Sequence, residues 1–192
     1  MKFFRRRLPH VDIPGAPVFL TWRLFGSLPA GRAFHREYLS SGKVFVTWDS
    51  VLDTARNGPL YLRQPEVATI VNDQLANAQT NGICAVHAHV IMPNHVHLLC
   101  TPQSSLSEVV RRVKGPTAYE ANKILGRSGK FWQDEYFDRL VRNPAEFARI
   151  KRYIEWNPVK AGLASSPEEF PWSSATEGGW LEPAQGLSPA SD

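Results

Sequence analysis

"ICAVHAHVIMPNHVHLLCT", residues 83–101, is the stretch on which the fold turns. Two apolar, β-branched runs meet at Pro93-Asn94, a pair that interrupts a strand, so the stretch predicts an antiparallel hairpin. It holds four of the chain's 6 histidines: His87, His89, His95 and His97. Along a strand, residues i and i+2 share a face, so His95 and His97 are expected to point the same way. Two imidazoles on a rigid strand can hold a divalent ion from one side and leave other positions open, as catalysis requires. The bland alternative is a pair of histidines on a half-exposed strand, and the hairpin alone does not decide.

On the N-terminal side, "PGAPVFLTWRLFGSLP" (14–29) reads as a strand bounded by Pro and Gly. Residues 30–64 carry no clear period, apart from the turn signal "NGPL" at 57–60. From Pro65 onward, Val67, Ile70, Val71, Leu75 and Ala78 recur at helical spacing, with Gly82 just beyond the end. On the C-terminal side, Ser105 and Glu108 make a capping-box start. Gly115-Pro116 is expected to break or restart that helix, and Gly126 to end it. "KFWQDEYFDRLVR" (130–142) reads as a strand. A last helix opens with Asn143 as cap, Pro144 and Glu146, and is expected to stop at Asn157 because Pro158 follows.

Strand, helix, hairpin, helix, strand, helix in that order implies an α+β fold, an antiparallel sheet with helices packed mainly on one face. At 192 residues, 43% hydrophobic and 21% charged, the chain suits one globular domain, and that composition excludes a disordered or membrane-spanning protein. The domain is expected over 1–180 with a basic N-terminal arm, and 181–192 as a disordered tail. "MKFFRRRLPH" lacks the apolar segment of an export signal, so a cytoplasmic location with reduced, buried Cys84 and Cys100 is expected. A net charge of +4 permits a polyanionic partner, with basic runs at Arg5 to Arg7, Arg111 to Lys114 and Arg149 to Arg152.

In the last helix, Phe147, Ile150 and Ile154 define a buried face, and Tyr153 and Asn157 lie along its edge one turn apart. A phenol can attack phosphorus and an amide oxygen can ligate a hard ion. On spacing alone, Tyr153 could equally be a packing residue and Asn157 a helix cap.

"MPNHVHLL", "VKGPTAYEANKILGRSGKFWQDEYFDRLVRN", "YIEWNPVKAGL" and "FPWSSA", in this order, resemble the single-tyrosine HUH transposases, especially the branch called REP-associated tyrosine transposases. The opening "RRRLPHVDIPGAPVFLTWRLFGSLP" is similar too, so the resemblance covers about residues 5–176. It implies a ferredoxin-like or RRM-like HUH fold. It also implies Mg²⁺ or Mn²⁺ held by His95, His97 and Asn157, with Tyr153 as the nucleophile in a metal-assisted transesterification of single-stranded DNA. The product would be a covalent 5′-phosphotyrosine, and no nucleotide cofactor is needed. The implied partners are single-stranded DNA hairpins of palindromic repeats, met in the cytoplasm at the nucleoid by a monomer, with a dimer as the alternative. DNA contacts are expected at Arg5, Arg6, Arg7, Arg111, Arg112, Lys114, Gln133 and Arg142. Asp138 also matches a family position. His87 and His89 do not match the ligand pair and are read as packing or stacking residues, a zinc site through them being the alternative. Tyr119 and Tyr136 are the rival nucleophiles. A non-catalytic nucleic-acid-binding module and a nuclease using water are the competing functions.

Overall fold

The computed structural model describes residues 2–5, 9–28, 52 and 58–176. Its centre is a four-stranded antiparallel sheet in the order β4-β5-β3-β6, made of β3 (Val18–Arg23), β4 (Cys84–Ile91), β5 (His95–Pro102) and β6 (Phe137–Leu140). A separate two-stranded ribbon pairs β1 (Lys2–Arg5) with β2 (Pro9–Asp12), Arg5 opposite Pro9. The sequence reading had no strands there. Arg5 therefore sits on a paired strand, whereas Arg6 and Arg7 lie outside the described residues, as does the tail expected at 181–192.

Both faces of the sheet are covered. Val18, Leu20 and Trp22 of β3, with Val96, Leu98 and Cys100 of β5, face α1 (Pro65–Thr80) and α2 (Leu106–Ile124). The alternate residues, Phe19, Ala88, Val90 and Leu99, face Ile150 and Ile154 of α3 (Pro144–Lys160). Among the described residues, two helices share one face and α3 packs on the other. This explains why β3 and β5 read as apolar runs without alternation: neither side meets water. Each fully buried Leu here would cost about 2–5 kcal/mol if cut to Ala.

The hairpin expected at Pro93-Asn94 is present, and α1 begins at Pro65 as expected. Ser105 accepts from the Glu108 N–H at 3.3 Å, but the Glu108 carboxylate turns to Arg111 and Arg112. Two expected helix breaks do not occur. Pro116 lies inside a continuous α2. Its missing N–H would leave the Arg112 carbonyl without its helical donor, and Gln74 of α1 supplies one at 3.0 Å. Pro158 likewise lies inside α3, where Asn157 stays helical and its carbonyl still accepts from the Ala161 N–H at 3.0 Å.

The strand expected over 130–142 is shorter, only Phe137–Leu140. Upstream, Phe131 and Trp132 turn into the core, and Lys114 Nζ donates to the carbonyls of Gln133 (2.6 Å) and Asp134 (3.2 Å). Those carbonyls are thereby held by a side chain and not by a longer ladder. The "FPWSSA" segment runs beside β4: Ile91 N–H donates to the Trp172 carbonyl, and Ser174 N–H to that of His89. It covers a sheet edge that would otherwise stay open.

Candidate active site

Strand parity turns His95 and His97 toward α3. Their Nε2 atoms are 3.0 Å apart and both residues are fully buried. Each ring is held from behind. His95 Nδ1 lies 2.7 Å from Asn94 Oδ1, and the Asn94 amide is oriented by donating from Nδ2 to the Leu52 carbonyl. An amide oxygen only accepts, so His95 carries its proton on Nδ1 and presents a bare Nε2. His97 Nδ1 lies 2.7 Å from Thr21 Oγ1, a group that can donate or accept. With Thr21 accepting, His97 Nε2 is bare as well. Two nitrogens at this separation fit adjacent positions on one ion about 2.1 Å from each. Among the described residues no group of three His, Cys, Asp or Glu side chains could hold a metal. A third protein donor would have to be of another type.

The Tyr153 ring stands edge-on to His97 at 5.7 Å and to Phe19 at 6.2 Å. Lys160 Nζ sits 4.7 Å over the Tyr153 ring, where the negative π-face attracts it. One turn beyond Tyr153, Asn157 is fully buried, so it is not the terminal cap that its place before a proline suggests. The N-terminal end of α3 is fixed by Glu146. Burial disfavours its charge, but the Arg142 N–H and the Arg139 guanidinium outweigh that and hold the carboxyl below its usual range. This clamp ties α3 to β6 and so sets the position of Tyr153 over the sheet.

The second His-x-His does not form a pair. A β-bulge between Val86 and Ala88 puts His87 on the α3 side, 5.1 Å from the Phe147 ring and bonded to Thr101 Oγ1 at 2.8 Å. His89 points the other way and bonds Asn72 of α1 at 3.0 Å. One inserted residue breaks the period of two, and a joint zinc site is excluded. His89 is fully buried, and burial pushes its pKa down to about 3, so it packs and stacks on no base. Of the rival tyrosines, Tyr136 is buried and Tyr119 is exposed on α2, the helix on the opposite face of the sheet.

The expected DNA contacts are scattered. Arg111, Lys114 and Gln133 line one open cleft of about 580 Å³ between α2 and the 129–136 loop. Arg111 and Arg112 both grip Glu108, whose carboxyl Arg111 and then Arg112 pull down to about 2. Arg142 lines a shallow pocket with Arg139 and Arg149 at the start of α3. Sequence reasoning missed Thr21, Asn94 and Arg23, the last of which stands opposite His95 in the β3–β5 register. Period-two spacing of Thr21 and Arg23 in "FLTWR" was the available signal.

The profile described as "Transposase IS200 like" matches residues 61–157, a span that includes His95, His97, Tyr153 and Asn157. A Haemophilus influenzae protein with the provisional name REP-associated tyrosine transposase is 27% identical over 108 residues, or 50% of this chain. That match spans 58% of the relative's length. A solved structure of a REP-associated tyrosine transposase bound to a REP hairpin superposes with a TM-score of 0.55 at 18% identity, covering 97% of this chain and 93% of that one. The likeness in structure establishes a shared fold.

Proposed function

The chain belongs to the IS200-like transposase family, and from that premise we propose that it cleaves single-stranded DNA by transesterification through Tyr153. The observation that carries this reading is the paired Nε2 atoms of His95 and His97, 3.0 Å apart, with the Tyr153 ring against His97.

His95 and His97, with Asn157 as an oxygen donor, are the residues that would hold a divalent ion. The nitrogen-rich donor set suits Mn²⁺ better than Mg²⁺, although both remain in the class expected. Such an ion, when bound, acts as a Lewis acid toward the scissile phosphate. Asn94 fixes the His95 tautomer that ligation needs, and Thr21, by accepting from His97 Nδ1, would leave His97 Nε2 for the ion as well. Tyr153 Oη attacks phosphorus and gives up its proton to solvent. The bond from phosphorus to the 3′-oxygen breaks, that oxygen takes up a proton, and the 5′ phosphate stays on Tyr153. Lys160 keeps the ring in place and adds positive charge near the developing phosphate. The phosphodiester energy is conserved in the new bond, so no nucleotide is consumed and a hydroxyl can reverse the attack.

The substrate is a DNA hairpin of a palindromic repeat, bound in the cytoplasm at the nucleoid by a monomer. Unpaired strand is needed for a phosphate to reach a site recessed between sheet and helix. Arg111, Arg112, Lys114, Gln133, Arg142 and the Arg5 to Arg7 segment supply phosphate contacts, so binding weakens steeply with salt. Among the described residues no helix is long and apolar enough to cross a membrane.

The test is incubation of wild-type protein with a labelled hairpin and Mn²⁺. A protein–DNA adduct that resists denaturant should form, with the DNA mapped by peptide mass to the segment holding Tyr153. Tyr153→Phe should fold, bind the hairpin and neither cut nor cross-link. An adduct on Tyr119 or Tyr136, or cutting without an adduct, would replace this reading with another tyrosine or with water.

A further inference from the structure

Arg23 ends β3 and is the Cα partner of His95 in the antiparallel β3–β5 ladder. Directly opposed residues place their side chains on the same face. Thr21, two residues earlier, confirms that parity by bonding His97. Arg23 therefore stands on the α3 side of the sheet beside the histidine pair. Tyr153 touches the rings of Phe19 and His97, whose ladder rows precede the row of His95. Along β3 the rows are Phe19 with Leu99, Thr21 with His97, and Arg23 with His95. The Tyr153 ring packs against the first two rows, and Arg23 shares the third with His95.

Arg23 is half-buried, and burial pushes its pKa down to about 10, which leaves it cationic at neutral pH. Its Nη1 donates to the buried Ser27 Oγ at 3.2 Å and lies 3.5 Å from the Leu24 carbonyl, while Ser27 Oγ donates to that same carbonyl at 2.9 Å. This tether holds the head group near the strand end. The positive charge of Arg23, in the ladder row of His95, disfavours a second cation at the histidine pair, and an arriving phosphate removes the conflict. The phosphodiester has one negative charge, and the five-coordinate transition state has two. A planar fork of N–H donors matches its oxygens.

We propose that Arg23 binds the scissile phosphate on the side away from Tyr153 and stabilises the charge that develops toward the leaving 3′-oxygen. The inference rests on the transesterase reading above. It concerns a residue that the assigned metal and nucleophile set does not include.

Arg23→Met should lower the single-turnover cleavage rate by about 10²–10³-fold, the size expected on losing one such donor. Hairpin affinity should fall far less than the rate, one phosphate contact among several being lost, and the melting temperature should stay close to wild type. Mn²⁺ affinity of the DNA-free protein, read by calorimetry, should tighten by about threefold to tenfold, because a like charge beside the ligands is gone. Arg23→Lys keeps the charge and should leave Mn²⁺ affinity unchanged while recovering part of the rate. Weaker Mn²⁺ binding together with a lower melting temperature would mean that Arg23 is a brace, and would overturn the proposal. So would cleavage within about threefold of wild type. If Arg23→Met does not fold, Ser27→Ala removes the tether alone. It should slow cleavage without weakening Mn²⁺ binding, and an unchanged rate would count against us. Wild-type protein that forms no adduct would defeat the reading beneath. An adduct-forming wild type with an indifferent Arg23 defeats this inference alone.

Discussion

Thr21 Oγ1 and His97 Nδ1 lie 2.7 Å apart, on directly opposed residues of β3 and β5. The hydroxyl can accept from Nδ1–H, the arrangement that leaves Nε2 for an ion. Thr21→Val keeps the shape, removes that acceptor and leaves Nδ1 without its partner in a buried place. Mn²⁺ affinity should fall by about 10–100-fold, the usual range for an outer partner of a ligating histidine. Thr21→Ser should retain most of it. Calorimetric titration checks both, and equal affinities for the Val and Ser variants would detach Thr21 from the metal site.

His95 and His87 make a sharper contrast, because both face α3 and only one belongs to a pair. His95→Ala should abolish Mn²⁺-dependent cleavage. His87→Ala loses a hydrogen bond to Thr101 and an edge contact with Phe147, worth about 1–2 kcal/mol of stability, and should keep most of the activity. Matching losses in single-turnover assays would show that the metal, if any, sits elsewhere.

The contrast between those two pairs marks the limit of what could be read from sequence. Period two gave the hairpin and the shared face of His95 and His97, and helical spacing put Tyr153 and Asn157 on one edge. Caps at Ser105 and Asn143 were legible because capping is local. The bulge at His87 was not, since it exists only through pairing with β5. Neither were the roles of Thr21 and Asn94, which depend on a register between segments far apart in the chain. Choosing metal chemistry over packing for the His-Tyr-Asn set came from the resemblance and not from spacing.

The two prolines misread as helix breaks lead to a stability test. Gln74 Nε2 donates at 3.0 Å to the carbonyl that Pro116 leaves without a backbone donor. Gln74→Ala should cost about 0.5–1 kcal/mol in the wild-type background. In Pro116→Ala protein the backbone N–H is restored, so the same substitution should cost little. Pro116→Ala alone should stabilise by about 1 kcal/mol, the helix gain being partly offset by a freer unfolded chain. Urea unfolding of the four proteins closes the cycle. A zero coupling between the sites would mean that the side-chain bond is incidental.

His89 contributes strongly to the pH response of the fold, with His87, whose pKa burial also lowers, adding in the same direction. Burial holds the folded pKa of His89 at about 3, against 6.5 for a free imidazole. Between those values the unfolded chain binds a proton that the folded chain refuses. The unfolded state therefore gains as pH falls: the stability is fully present above about 6.5 and drains away toward 3. Going from pH 7 to pH 5 should cost the wild type about 2 kcal/mol from this residue, roughly one and a half pH units of linkage. The carboxylates Glu108 and Glu146 are held below their usual range, so their losses fall mainly under about pH 4.5, below the interval from pH 7 to pH 5. His89→Phe fills the space with a ring that cannot titrate. It gives up the bond to Asn72, so it should start less stable at pH 7, but its stability should fall less between pH 7 and pH 5. Urea denaturation at the two pH values measures this. Parallel losses in the two proteins would show that His89 takes up its proton without unfolding the chain.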